Sequence, residues 1–434
     1  MNELEANRPN IIVIVIDTLR LDKSAPIAKA LDGAIDYGWA VTPAPWTLPA
    51  HVSLLTGLYP SIHESHERLE MKSLVDFVKL RNNKATLMTK LKKLGYTTYG
   101  YSANSFISRA FGFEGFDVLK NWEVSWAELL FEMDAVSVYK FAKFLHTRHL
   151  RDFISPLARV LRRNPRLFLS TLYASIDAGI DRAFHSWPKN KGLRNVLDFV
   201  NRTKFKEPFF LFLNILEVHE PYFKKDHLIE GGFAVQPTSS IDKELLDLWT
   251  KGYETQVEQV AEKLPELTRI LKEKGLFDNT LIILTSDHGQ LLGEHGWIGH
   301  GVFLYDELVK VPLLIKYPSN PKIDLSQRKG FISLANVPNF IIDLVEGRNT
   351  DSSLFSAQAF SESWFYLPKT PGRVVCVYSE EGKVTYNFLT EKVEEANVNR
   401  NSSNDAVIDN LVRKCRSFAD LNERLGEITA LEEK

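Results

Sequence analysis

Three separate places along the chain put carboxylates, imidazoles and a hydroxyl where ester chemistry could use them. Thr47 lies within PAPWTLPAHVSLLTGLYP, Pro43 to Pro60, Asp17 closes the apolar run IIVIVI, and Asp287 and His288 follow soon after LIIL. Asp17, Asp287 and His288 supply oxygen and nitrogen ligands suited to one divalent cation. Hard oxygen ligands favour Ca²⁺, Mg²⁺ or Mn²⁺, and the imidazole also admits Zn²⁺. The Thr47 oxygen is a further ligand in that set, and coordination there would lower the hydroxyl pKa and polarise an ester oxygen. The chemistry suggested is attack by Thr47 on a phosphate or sulfate ester. His51 follows Thr47 by about one helical turn and can point to the same side of the helix. His219 and His300 are placed to bind the anionic oxygens or to protonate the leaving alcohol. Each residue also has a plainer reading: Thr47 as a helix cap, Asp17 as a turn or capping residue, each histidine as a structural one. What favours chemistry is the coincidence of three strand ends, each delivering acid or imidazole groups, with one hydroxyl-bearing helix start.

The elements that must hold these groups follow from local pattern. Ile11 to Ile16, Phe209 to Leu216 and Leu281 to Leu284 are short apolar runs, the first and third rich in isoleucine. They read as strands buried on both faces, as in a parallel sheet, and open α/β folds place ligands at the carboxyl ends of such strands. The second run leads into Glu217, His219 and Pro221, and the third into Asp287, His288, His295 and His300. Thr47, Leu48 and Pro49 followed by an apolar run ending at Gly57 predict a short helix, because proline is tolerated in a first turn and glycine ends helices. Its positive end would favour an anion. Further helices are predicted over Leu74 to Leu94, Lys243 to Lys274 and Asn336 to Leu344, and further strands from Gly95 and over Val311 to Pro318. From about Arg373 the alternation predicts a β-hairpin turning at Glu380-Glu381-Gly382, with a terminal helix from Ala406.

The fold class expected is therefore α/β, a mostly parallel central sheet flanked by helices with a small C-terminal α+β subdomain. A main domain over 1–370 carries a helical insertion at about 122–204, and the small subdomain covers 371–434. Between Lys140 and Arg166 eight Lys or Arg face one acidic residue, Asp152, with apolar residues at helical spacing. That segment reads as a solvated amphipathic insertion packed on the main domain, in preference to a peripheral contact with an acidic membrane.

Composition narrows the function classes. The 434 residues are 44% hydrophobic and 25% charged with a net charge of −2, so no global basic field points to nucleic acid. Two cysteines, Cys376 and Cys415, are too few for a disulfide framework and stand in no metal-spaced cluster. The apolar run Ile11 to Ile16 is too short for a transmembrane segment or a signal peptide, and the expectation is a cytoplasmic protein of open oligomeric state.

Taken together, RPNIIVIVIDTLRLD, WTLPAHVSLLTGLYPSIH, GFEGFD, LEVHEPY, DNTLIILTSDHGQLLGEHGWIGHGVFLYDELVKVPLLIKYP and VTYNFLTEKVEEANV resemble, in order, the sulfatase-like branch of the alkaline phosphatase superfamily. The insertion falls outside the resemblance. The resemblance implies the alkaline phosphatase-like fold, one divalent metal held by Asp17, Asp287 and His288, Thr47 at the nucleophile position, and His219 and His300 facing the substrate's anionic group. The departures bear on chemistry. True sulfatases convert Cys or Ser to formylglycine, which threonine cannot become. Thr18 stands where many have a second aspartate, and His300 where many have lysine. Their lysine and histidine near the third strand are absent from GYSANS, leaving Asn104 as a substitute substrate contact. These departures favour phosphoesters over sulfates, and a diester is plausible among them because one metal with two histidines offers limited charge for a dianionic monoester. The alternatives are a transferase passing a Thr47 adduct to an acceptor, or a non-catalytic anion- or membrane-binding protein.

Overall fold

The structure, a computed structural model, describes residues 8–66, 86–104, 106–113, 115–121, 190–223, 235–319, 329–348, 350–364, 372–399 and 404–432, with residues 162 and 165 besides. The basic segment 140–166, apart from residue 162 and residue 165, and most of the helix expected over Leu74 to Leu94 lie outside the described residues. Its final turns form the helix Leu87–Lys93.

In chain order the strands are β1 (Asn10–Ile16), β2 (Ile35–Val41), β3 (Thr97–Ser102), β4 (Val118–Asn121), β5 (Phe209–Ile215), β6 (Gln236–Pro237), β7 (Thr280–Thr285) and β8 (Leu291–Leu292). They continue with β9 (Trp297–Gly299), β10 (Lys310–Lys316), β11 (Phe331–Ile332), β12 (Phe355–Ser356), β13 (Gln358–Ser363), β14 (Val374–Ser379), β15 (Gly382–Asn387) and β16 (Lys392–Val398). Seven of them form the main sheet in the order β2-β10-β7-β1-β5-β3-β4. β1 pairs in parallel with β5 on one side and β7 on the other. β10 alone runs antiparallel, between β7 and β2.

The apolar run of β1 is buried throughout because both sheet faces are covered. Ile12, Ile14 and Ile16 enter one core, and Ile11, Val13 and Val15 the other, as the two-residue period of a strand requires. The first core is closed by helices Ala25–Ala30, Leu193–Arg202 and Lys243–Glu273, and the second by Thr47–Thr56, Leu87–Lys93 and Val337–Val345. Helix Leu193–Arg202 buries Leu193, Val196, Leu197, Phe199 and Val200 against β3 and β5, so this end of the expected insertion is part of the main core. Burying each such side chain contributes roughly 1.5–3 kcal/mol relative to exposure.

The small antiparallel sheet β13-β14-β15-β16 packs on the terminal helix Asn404–Glu432 through Val375, Val377, Val384, Leu411, Cys415 and Phe418. Its hairpin turns at Glu380 and Glu381 as expected. Strand β13 precedes residue 371, so the sheet takes residues from both sides of that boundary. Both cysteines are free and buried.

Candidate active site

The carboxyl ends of the adjacent central strands β7, β1 and β5 bring together what the sequence places far apart. Asp17 follows β1, and its N–H donates to Ile215 O at the end of β5 at 2.9 Å. Asp287 and His288 follow β7, and all three side chains are buried. Their ligand atoms lie within 4.8 Å of one another. Thr18 takes the left-handed conformation at φ 62°, rare for a β-branched residue, and its N–H then meets Asp287 Oδ1 at 3.2 Å. Its hydroxyl donates to Val218 O at 2.9 Å, which ties the β1 end to the segment after β5.

The two carboxylates divide their oxygens. Asp17 Oδ2 accepts from Asn104 Nδ2 at 2.9 Å and faces Asn214 Nδ2 at 3.5 Å. Asp287 Oδ1 accepts from Thr18 N and from His288 N at 2.9 Å. Asp17 Oδ1 and Asp287 Oδ2 have no hydrogen bond among the described residues, although both are buried. Such orphaned anionic oxygens are costly unless a cation satisfies them. His288 Nδ1 is 2.9 Å from Gly289 O, which assigns its proton to Nδ1 and leaves the Nε2 lone pair facing Asp287 Oδ2 at 3.4 Å. The residues present therefore fit a divalent metal. Burial, then the charge of Asp287, raises the Asp17 pKa; burial raises that of Asp287 and pushes His288 down to about 4.

Thr47 is the first residue of helix Thr47–Thr56; Trp46 occupies the cap position and makes no side-chain cap bond. The Thr47 hydroxyl points instead at His288 Nε2, 3.3 Å away, so the plainer capping role does not hold. Gly57 ends the helix at φ 80° with its N–H on Ser53 O, as expected of a terminal glycine. His51 Nδ1 meets the Thr47 carbonyl at 2.8 Å and lies 3.4 Å from Asp287 Oδ2, while its Nε2 faces Asn214 Nδ2 at 3.3 Å. Both ring nitrogens are thus engaged in the layer behind Thr47 and the carboxylates. The Asn104 side chain is turned to Asp17 through Nδ2 and to the Phe106 N–H through Oδ1, at 2.9 Å each.

His219 and His300 gather beside this cluster. Their ring centroids are 5.1 Å apart, and His300 is 4.5 Å from His288. Burial works against charge on His219, but Glu220 and Asp17 outweigh it and raise the pKa. Burial, then His288 and His219, holds His300 well below the ordinary histidine value. His295 turns away and stacks on Tyr305. The sequence reading missed Asn214, Glu220 and Gln290. Asn214 had a signal, the one polar residue in the run FFLFLNI.

The sulfatase family model matches residues 9–347. An extracellular sulfatase homologue of Drosophila melanogaster is 24% identical over 339 residues, covering 73% of this chain and 28% of that protein. A low-salt glycan biosynthesis sulfotransferase of Haloferax volcanii is 34% identical over 160 residues, 34% of this chain and 37% of that one. The chain thus spans well under two thirds of the length of these relatives. A phosphonate monoester hydrolase from Silicibacter pomeroyi shares the fold, with a TM-score of 0.63 at 16% identity and 96% of each chain covered.

Proposed function

The chain belongs to the sulfatase family, and from that premise we propose that it is a metal-dependent hydrolase of anionic esters with Thr47 as nucleophile, phosphoesters and among them diesters being preferred. The observation that carries the reading is the convergence of the Thr47 hydroxyl, His288 Nε2 and the two orphaned oxygens of Asp17 and Asp287 on one buried point. Asp17, Asp287 and His288, with Thr47, would hold one divalent ion, which when bound supplies positive charge that acidifies the hydroxyl and polarises the ester. His51, Asn104 and Asn214 orient these groups from behind. Thr47 Oγ1 gives up its proton and bonds to phosphorus as the P–O bond to the departing alcohol oxygen breaks and that oxygen takes a proton from His219; water then attacks the phosphorus of the threonine adduct, restoring the Thr47 hydroxyl and releasing the phosphate. His219 and His300 face the anion and the departing oxygen. Phosphorus is preferred because threonine offers no aldehyde route to sulfate release.

A group transferase is the second reading. It rests on the Haloferax relative's name and uses the same adduct with an acceptor hydroxyl in place of water. The test is p-nitrophenol release from matched aryl phosphodiester, phosphomonoester, phosphonate and sulfate substrates, with chelator or added Mn²⁺ and with Thr47→Ala as the blank. Turnover that needs both the metal and Thr47 and is fastest on a phosphodiester is expected. Turnover retained by Thr47→Ala would remove the nucleophile assignment, and product that appears only with an added alcohol would select the transferase.

A further inference from the structure

We propose that Lys191 is a positioning residue for the reaction, its buried ammonium clamping the loop that carries His219 so that the imidazole meets the departing oxygen. The inference deepens the reading above and rests on its assignment of His219 as proton donor. Lys191 lies near the carboxyl-terminal end of the expected insertion, outside the motifs that carry the family resemblance. It is only 4% exposed, which is costly for an ammonium unless hydrogen-bond acceptors surround it. Three acceptors do: the Glu217 carbonyl at 2.9 Å, the His219 carbonyl and Gln256 Oε1.

From Leu216 to Pro221 the chain after β5 is neither helix nor strand, so its carbonyls must find partners outside any ladder. Each has one. Leu216 O accepts from His219 N at 3.1 Å, Val218 O from the Thr18 hydroxyl at 2.9 Å, and Pro221 O from Gln256 Nε2 at 3.1 Å. Glu220 O faces His219 Nδ1 at 3.1 Å. The other two, Glu217 O and His219 O, go to Lys191. The loop reciprocates through Glu217 Oε1, which accepts from the N–H groups of Lys191 and Leu193 at 2.9 and 2.7 Å and so caps helix Leu193–Arg202. That cap uses only the main chain of residue 191. The ammonium is therefore the part of Lys191 that bears on His219. The His219 carbonyl and imidazole share one Cα, and the Nδ1 contact leaves Nε2 as the nitrogen that delivers the proton. His300 is aimed differently, through its side chain. Its Nδ1 meets Gln290 Oε1 at 2.6 Å, and the same amide donates to Glu220 Oε2 at 3.2 Å. Misplacing a reacting group by about 1 Å can cost roughly 100-fold in rate, so a loop held by two carbonyl bonds to one lysine depends on that lysine.

The test separates proton delivery from general loss of folded protein. Within the ester class that the chain turns over, kcat/KM is measured for leaving alcohols from p-nitrophenol, which departs readily as an anion, to a simple alkyl alcohol, which needs a proton. Lys191→Met keeps the apolar stem and removes the ammonium. It is expected to lose roughly 10- to 100-fold more on the alkyl ester than on the p-nitrophenyl ester. His219→Ala should steepen the dependence in the same way, and Lys191→Met added to His219→Ala should cost nothing further, since the two act through one group. Gln256→Leu, which leaves Lys191 in place and frees Pro221 O, is expected to repeat the pattern more weakly and serves if Lys191→Met does not fold. Equal losses across the series in both variants, or additive losses in the double variant, overturn the proposal. A crystal structure of Lys191→Met is expected to show His219 displaced, with Asp17, Asp287 and His288 in place. An unmoved His219 overturns the clamp whatever the kinetics. If His219→Ala leaves the dependence as in the wild type, the acid assignment falls, while the displacement still decides the clamp, so the two readings fail separately.

Discussion

Nδ2 of Asn104 donates to Oδ2 of Asp17 at 2.9 Å, leaving Oδ1 of the same carboxylate without a hydrogen bond. The amide thus selects which oxygen is left for the proposed metal. Asn104→Ala frees the carboxylate to rotate, and the expected result is a loss of metal affinity of roughly 10- to 100-fold. Titration with Mn²⁺ followed by calorimetry measures it. An unchanged affinity with a raised KM would instead make Asn104 a substrate contact.

Asp17 and Asp287 are two buried carboxylates whose pKa values are raised, first by burial. The folded metal-free protein therefore holds protons at this pair that the unfolded chain releases, and the pair's contribution to stability falls as pH rises above the ordinary carboxylate range, opposite in sign to that of His63. Asp287→Asn keeps an oxygen for the Thr18 and His288 N–H groups and removes one charge. Its melting temperature in chelator is expected to equal or exceed that of the wild type, while saturating metal stabilises only the wild type strongly. A variant that melts lower in chelator would show the charge pair is not a source of strain.

Gly289 has no room for a side chain. A Cβ built there would lie 1.9 Å from Glu307 O, and the Gly289 N–H is already bonded to Leu308 O at 2.8 Å. Gly289→Ala must separate the 288–289 segment from the Glu307 backbone by shifting one of them, at a cost of about 1–3 kcal/mol by analogy with overpacked cores. Thermal unfolding and Co²⁺ spectra are both expected to change. Co²⁺ spectra matching the wild type would mean that the loop shifts without moving His288.

His63 is buried, and its pKa is pushed down to about 3, first by burial and then by His66. Its Nδ1 accepts from Ser65 N and its Nε2 meets Ser53 Oγ, both at 3.0 Å, so the ring is held neutral and a second proton would break the Ser65 bond. The unfolded chain takes up that proton near 6.5. Stability from the neutral ring is complete above that value and is lost as pH falls toward 3, by about 1.4 kcal/mol per pH unit. His63→Gln should flatten denaturant midpoints measured across mildly acidic pH. A slope identical to that of the wild type would place the acid sensitivity elsewhere.

Much of the site was legible because its residues interrupt a pattern. Asp17 and Asp287 follow apolar runs that only a strand covered on both faces accommodates, and a charged group at such a boundary stands out. The start of helix Thr47–Thr56 could be read from Pro49 and Gly57, and the β14–β15 turn from Glu380, Glu381 and Gly382. Gln290 and Glu220 gave no such sign, since a glutamine after a histidine or a glutamate before a proline is ordinary in a loop. The bond from Asn104 to Asp17 could not be foreseen, because Asp17 follows β1, which neighbours β3 only across β5.

The sequence by itself determined the α/β class, and that Asp17, Asp287 and His288 follow apolar strands with Thr47 near a helix start. Those inferences depend on periodicity and end effects, which are local. Only the tertiary structure decided that β7, β1 and β5 are neighbours, that β10 enters the sheet antiparallel, and that the Thr47 hydroxyl turns to His288 instead of capping its helix. It also decided which carboxylate oxygens are satisfied and which remain for a cation. Those outcomes come from strand order and from hydrogen bonds between residues far apart in the chain, where a buried polar group takes whatever partner the packing brings within reach.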